Sequence, residues 1–371
     1  MDASCWLRHY PRIHQLLSRE GKRCVSPLDE DGRMLAKVLN PDYVSRLWLE
    51  NRHGWSRRYL ESWRTGLELR KPFPGFHPGI YRDHHPELQD DPTIAFLKAG
   101  RPNGPWLTEV MGEIGAEWLK VKSGKVAKKY PETRAALHLH LYYPEQADVL
   151  IRDLGAARHQ PDLFISVTSE EGSVLVKSLL EKYRVKCREL TVFPNRGRDL
   201  GPFLTGFRES LLNYEIVGHF HTKGSKHAPP DFVKRWNAFL SGNLIGRRGQ
   251  MMDTILDRMA ADPSIGIVYP DDPMIWGWYE NYSMGKTLLE KLGLAIPQES
   301  TFFNYPAGSM FWGRTAALKP LFNLRLRWED YPEEPISQDA TILHSIERLF
   351  GIIPEQTGYR TLLTHISGLI R

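Results

Sequence analysis

From about Arg134 to Tyr269 the chain alternates short β-rich runs with helical patterns, and this alternation constrains the fold more than any other feature of the sequence. Such alternation is the signature of βαβ units and a mainly parallel sheet. The expected strands are 135–142, 162–168, 189–193, 215–221 and 265–269. Helices are expected near 145–155, 172–184, 199–212 and 248–261. In an open α/β sheet, ligands bind outside the carboxyl ends of the strands. That rule singles out Tyr142 and Tyr143, Thr168 to Glu170, Asn195 to Asp199, and the stretch from His221 to Lys226.

Residues 1–128 read differently, as a loosely helical or irregular accessory region ahead of an α/β domain expected over 129–371. In Ser45 to Leu69, Trp48, Trp55, Tyr59 and Trp63 interleave with Arg46, Arg52, Arg57, Arg58 and Arg64. The pattern suits either a solvated amphipathic helix or a surface for anionic headgroups or a partner protein. Breakers follow in KPFPGFHPG from Lys71, and VKSGKVAKKY from Val121 reads as a basic linker.

With 41% apolar and 25% charged residues, wholesale disorder is excluded. No run of about 18 apolar residues occurs, and MDASCWLRHYPRIHQ lacks a signal-peptide core, so a cytoplasmic protein is expected. Cys5, Cys24 and Cys187 are too scattered for a disulfide framework or a metal knuckle. The formal charge of +5 suits an anionic ligand or membrane surface but not a nucleic-acid partner. Eleven tryptophans and fifteen tyrosines fit an aromatic cleft for sugars or nucleobases, or equally a large aromatic core.

Four motifs carry chemistry. In NRGRDLGPF from Asn195, Arg196 and Arg198 stand beside a helix start that Asp199 is placed to cap, a combination that holds phosphate oxygens. It is not a GxxxxGK[ST] phosphate loop. In HFHTK from His219, the i, i+2 spacing puts His219 and His221 on one strand face, with Lys223 following. They read as a cationic pocket, or with His138 and His140 as a metal site. His138 and His140 themselves read as core histidines held by hydrogen bonds. PAGSMFWGR from Pro306 is a small-residue turn leading into an aromatic strand, either a close-approach site for an acceptor at Gly308, Ser309 and Trp312 or a packing turn. SQDATILHSIER from Ser337 has helical period, with Ser337 as N-cap and Asp339 in the first turn as a general base or a plain helix-start acid.

Taken in order and separation, NRGRDLGPF, HFHTKGS, PAGSMFWGR and SQDATILHSIERLF resemble the rhamnan synthesis F family of bacterial polysaccharide glycosyltransferases, over roughly residues 130–352. The segment PELQDDPTIAFLKAG from Pro86 is similar to one that often precedes this domain. The resemblance implies a GT-A-like, Rossmann-like sheet flanked by helices. It also implies inverting transfer of a deoxyhexose, typically rhamnose, from dTDP-rhamnose or a GDP-linked sugar to a growing O-antigen or cell-wall glycan, free or lipid-linked. Asp339 is then the base. Asn195, Arg196, Arg198, Asp199, His219, His221 and Lys223 hold the donor diphosphate, Tyr142 or Tyr143 stacks on the base, and Thr168 and Glu170 lie near the ribose. The Asp-x-Asp metal motif common in GT-A enzymes is missing at 219–223, so no cofactor is firmly expected and Asp271 with Asp272 is the fallback for a divalent ion. Two other classes stay open: a non-catalytic glycan- or nucleotide-binding module, and a metal-dependent hydrolase using the His-x-His pairs.

Overall fold

A computed structural model describes residues 30–43, 54–66, 69–112, 134–222, 224, 230–275, 277–337 and 339–369. Trp48, Arg46, Arg52, Lys223, Lys226 and the basic stretch 121–130 lie outside the described residues.

Among the described residues four helices come first: α1 (Glu30–Ala36), α2 (Trp55–Thr65), α3 (Pro78–His84) and α4 (Pro92–Lys98). Their ends follow local chemistry. The α4 start is capped by Asp91, which accepts from the backbone of Thr93 and Ile94, while α2 stops at Gly66 in the left-handed region. Trp55, Tyr59 and Trp63, one stripe at helical spacing, pack with Leu35, Ile94 and Ile275, so these aromatics are core. A second cluster gathers Phe73, Phe76, Tyr81, Phe96 and Trp106.

There follow β1 (Val110–Met111), β2 (Ala135–His140), α5 (Asp148–Gly155), β3 (Asp162–Val167), α6 (Glu170–Tyr183), β4 (Glu189–Val192), α7 (Arg208–Leu211), β5 (Ile216–His221), α8 (Pro230–Leu244), α9 (Gln250–Ala261), β6 (Ile265–Pro270), α10 (Tyr282–Leu292), β7 (Phe311–Arg314), α11 (Thr315–Asn323), α12 (Ile342–Gln356) and β8 (Arg360–Thr364). The described strands form one eight-stranded sheet in the order β1-β8-β6-β7-β5-β2-β3-β4. Only β7 runs antiparallel to its neighbours. The protein is α/β, with helices on both faces of the sheet. One face packs against the 200–211 stretch, α10, α11 and α12, and the other against α5, α6, α8 and α9. Strands buried on both faces read as near-continuous apolar runs, which is why 135–140, 162–167 and 265–270 were legible. Among the described residues no helix is long and apolar enough to cross a membrane.

Three local expectations are corrected. The stretch 199–212 is not one helix but a π-helical turn, Pro202–Gly206, followed by the single turn of α7. Pro202 removes one amide donor there, and Gly201, not Asp199, is the N-cap. The helix expected from Ser337 begins only at α12, with Thr341 at its N-cap position, because Ala340 takes φ 61° and breaks the helical path. Trp312 does not line the expected sugar pocket: it is fully buried in β7, with its indole N–H donating to the Leu244 carbonyl at 3.1 Å.

Candidate functional site

Parallel register sets His138 opposite His219 and His140 opposite His221, all on the face beneath α12. From Asp199 inward a hydrogen-bond chain runs through four side chains. His219 Nε2 meets Asp199 Oδ2 at 3.1 Å, and His219 Nδ1 meets His138 Nδ1 at 3.0 Å. Ser166 Oγ lies 2.9 Å from both His138 Nε2 and His140 Nδ1. One proton arrangement satisfies it all: His219 donates to Asp199, His138 to His219, Ser166 to His138 and His140 to Ser166. Burial first, then the neighbouring imidazoles, holds His138 well below the usual histidine range. Burial pushes His140 down to about 3, against the pull of Asp199. The pair is thus packed as satisfied neutral core groups, and the chain ends at the partly open carboxylate of Asp199.

A second chain leaves the same carboxylate along the carboxyl edge of the sheet. His221 Nε2 stands 3.8 Å from Asp199 Oδ2 and donates to the Gly308 carbonyl at 2.8 Å. The Gly308 N–H donates to Glu347 Oε1 at 2.5 Å. Arg348 donates to Glu347 Oε2 at 3.1 Å and brings its other terminal nitrogen to 3.8 Å from Asp339 Oδ1. Asn281 donates to the same Asp339 oxygen at 2.7 Å. All four motifs therefore meet in one polar network. Gly308 has φ 97°, in the region that favours glycine, and both its backbone groups are used.

Asp339 keeps 27% of its side chain exposed, whereas Arg348 has none. Burial works against the charge on Arg348, but Tyr305, Glu347 and Asp339 together hold its pKa above the usual value. Its guanidinium carbon lies 5.1 Å from the Tyr305 ring centre, a cation–π contact. His344, 3.9 Å from Asp339, is held below the usual histidine range by burial and by the charges of Arg348 and Arg198, against Glu347 and Asp339. Of the eight non-glycine residues with positive φ among the described ones, four lie here. Arg198, Tyr279, Ser309 and Ala340 are non-glycine residues at φ 48°, 49°, 59° and 61°, and three of them adjoin Asp199, Gly308 and Asp339.

The two arginines of the 195–199 loop part company. Arg196 donates to the carbonyls of Tyr331 at 2.8 Å and Glu329 at 3.2 Å, so it anchors the 329–333 loop. Arg198 is half exposed and pairs with Glu334 at 3.0 Å. Gly197, at φ 74°, lies where a Cβ would meet the Tyr331 ring and Gly201 at 2.9 Å. Asn195 is exposed on the same loop. Tyr142 is exposed and meets the half-buried Tyr143 edge to face, while Thr168 and exposed Glu170 flank the β3 end. Ser309 is buried in the turn before β7.

Asp271 and Asp272 follow β6 at this edge, but Asp271 is already engaged. Lys71 Nζ lies 2.5 Å from its Oδ1, and Tyr43 Oη and the Gly75 amide reach Oδ2 at 2.9 and 2.7 Å. Asp272 accepts from the Met274 amide at 2.9 Å. An ammonium in contact with its carboxylate repels a divalent ion, so Asp271 does not fit a metal. Among the described residues no group of three or more His, Cys, Asp or Glu is arranged to hold one.

Sequence reasoning missed Asn281, Glu347, Arg348, Tyr305 and Lys71. A signal existed for Glu347, which falls on the apolar stripe of α12 four residues after Leu343. None existed for Lys71 or Asn281, whose partners are remote in sequence.

The chain resembles two curated relatives, each described as uncharacterized protein WxcX, from Xanthomonas campestris pv. campestris strains B100 and ATCC 33913. Each is 28% identical over 365 residues, a match covering 87% of this chain and 50% of the relative. The chain thus spans about half the length of the curated relatives it matches. The family described as rhamnan synthesis protein F matches residues 117–359, which contain all four motifs and the whole polar network from Asp199 to Asp339. The chain belongs to the rhamnan synthesis protein F family.

Proposed function

We propose that the protein is a nucleotide-sugar-dependent glycosyltransferase of polysaccharide synthesis, transferring a deoxyhexose, rhamnose first among candidates, with inversion at the anomeric carbon. The observation that carries this reading is the Asp339 carboxylate. It is partly open, oriented by Asn281 at 2.7 Å, and tied through Arg348, Glu347, Gly308 and His221 to the ends of parallel strands. Its family, associated by its description with rhamnan synthesis, supplies the substrate class.

In this reading Asp339 takes the proton of an acceptor hydroxyl as that oxygen bonds to the anomeric carbon. The bond from that carbon to the diphosphate oxygen breaks on the opposite face, and the charge passes to the departing nucleoside diphosphate. Arg198 is suited to meet it, because a half-exposed ion pair such as Arg198 with Glu334 costs little to open. His221 and Lys223, at and just after the β5 end, add to the positive field. Arg196 shapes the loop and does not take part. Tyr142 and Tyr143 offer aromatic faces for the nucleobase, with Thr168 and Glu170 near the ribose. The acceptor is a growing glycan approaching over Gly308 and Ser309. Acceptor-dependent release of nucleoside diphosphate from a panel of sugar nucleotides tests the reading.

A further inference from the structure

Asp271 and Asp272 stand at the carboxyl edge of the sheet, where an acidic pair invites a divalent cation. The structure assigns that place to an ammonium of the chain itself: we propose that Lys71 is the resident cation of Asp271, so that the N-terminal region completes the edge of the site and no divalent ion binds at Asp271. This inference does not rest on the transferase reading.

Backbone pairing fixes the position of Lys71. Its amide donates to the Pro273 carbonyl at 2.9 Å, Ile275 donates back to Leu69 at 3.0 Å, and Arg70 bridges Met274. The 69–71 segment is thus stitched to the chain immediately after the acidic pair. The ammonium is then aimed inward, 3% exposed, and has two oxygens in reach: Asp271 Oδ1 at 2.5 Å and Asn304 Oδ1 at 2.7 Å. The other Asp271 oxygen takes Tyr43 and Gly75, both also from the N-terminal region. Every named side-chain contact of this carboxylate therefore comes from residues 43–75. A buried carboxylate saturated in this way has its charge cancelled and its lone pairs used, which removes what a hard divalent cation needs. Asn304 links the arrangement to the site, since the next residue, Tyr305, carries the ring beneath Arg348.

The test is a Mn2+ titration of the full chain, followed by electron paramagnetic resonance, comparing wild type with Asp271→Asn. Identical isotherms are expected; a site present in wild type and weakened tenfold or more by Asp271→Asn overturns the inference. Should Asp271→Asn not fold, Lys71→Met/Asp271→Asn, in which both charges are gone, is the comparator. A second arm needs no metal. Lys71→Met leaves a buried carboxylate without its counter-charge, so its folding constant should fall at least tenfold below that of the double variant. Equal stability of the two would show that Lys71 does not neutralise Asp271, and would overturn the assignment.

Discussion

The Glu347 carboxylate accepts the Gly308 amide at 2.5 Å across 39 residues of sequence, and this contact joins the turn before β7 to the helix that follows Asp339. On the far side Gly308 receives His221, and on the near side Glu347 holds Arg348. The geometry around Asp339 is therefore set by buried groups, which is how a partly exposed carboxylate is kept in one place.

Asp339→Asn keeps the hydrogen-bonding shape and removes the basicity. Transfer should fall about 10²- to 10⁴-fold, the usual worth of a general base, while donor affinity stays nearly unchanged. Single-turnover kinetics with isothermal titration of the donor checks both halves, and unchanged turnover would remove Asp339 as the base.

Arg196 and Arg198 should answer differently to the same change. Arg198→Ala is expected to weaken donor binding about 10- to 100-fold, the loss of one charge-assisted contact, with unfolding unaffected. Arg196→Ala strips the Tyr331 and Glu329 carbonyls of their donor and should cost about 1–3 kcal/mol of stability. Denaturant melts beside donor titrations separate the two.

Ser166→Ala removes the hydroxyl between His138 and His140, all three buried. Leaving those imidazole nitrogens without a partner should cost about 1–3 kcal/mol, measured by urea unfolding. A neutral result would mean that water replaces the hydroxyl.

Stability should fall as acid is added, beginning near neutrality. Burial holds His77, His138 and His140 below the ordinary value of 6.5, His140 at about 3, so the unfolded chain binds protons that the folded chain refuses. Stability gained above pH 6.5 is then lost progressively as pH drops toward 3. His344, lowered by burial, acts in the same sense, while Asp91, raised by burial to about 6, and Asp83 and Glu355, also raised by burial, act in the opposite one. A net loss is expected between about pH 7.5 and about pH 6, read from denaturant midpoints at each pH.

Most of the sheet was legible because its central parallel strands are apolar on both faces, and the four motifs fall at strand ends as α/β topology requires. The short edge strand β1 was not, since Val110–Met111 has too few residues to show a period, and β8 (Arg360–Thr364) was not among the expected strands. The start of α12 was misplaced because Ser337 and Asp339 look like cap residues, whereas the cis bond before Pro335 and the left-handed Ala340 belong to a loop that sequence does not reveal. The site was legible as motifs but not as a network. Lys71 meets Asp271 across 200 residues, and Asn281 meets Asp339 across 58, contacts that only the fold creates.

The most direct test of the central claim is release of nucleoside diphosphate from a panel headed by dTDP-rhamnose and GDP-linked deoxyhexoses, with glycan acceptors, for wild type and Asp339→Asn. The account predicts acceptor-dependent release from one donor by wild type and its loss in the variant. No release and no binding of any donor by the wild-type chain would contradict it, and would favour a glycan-binding module in its place.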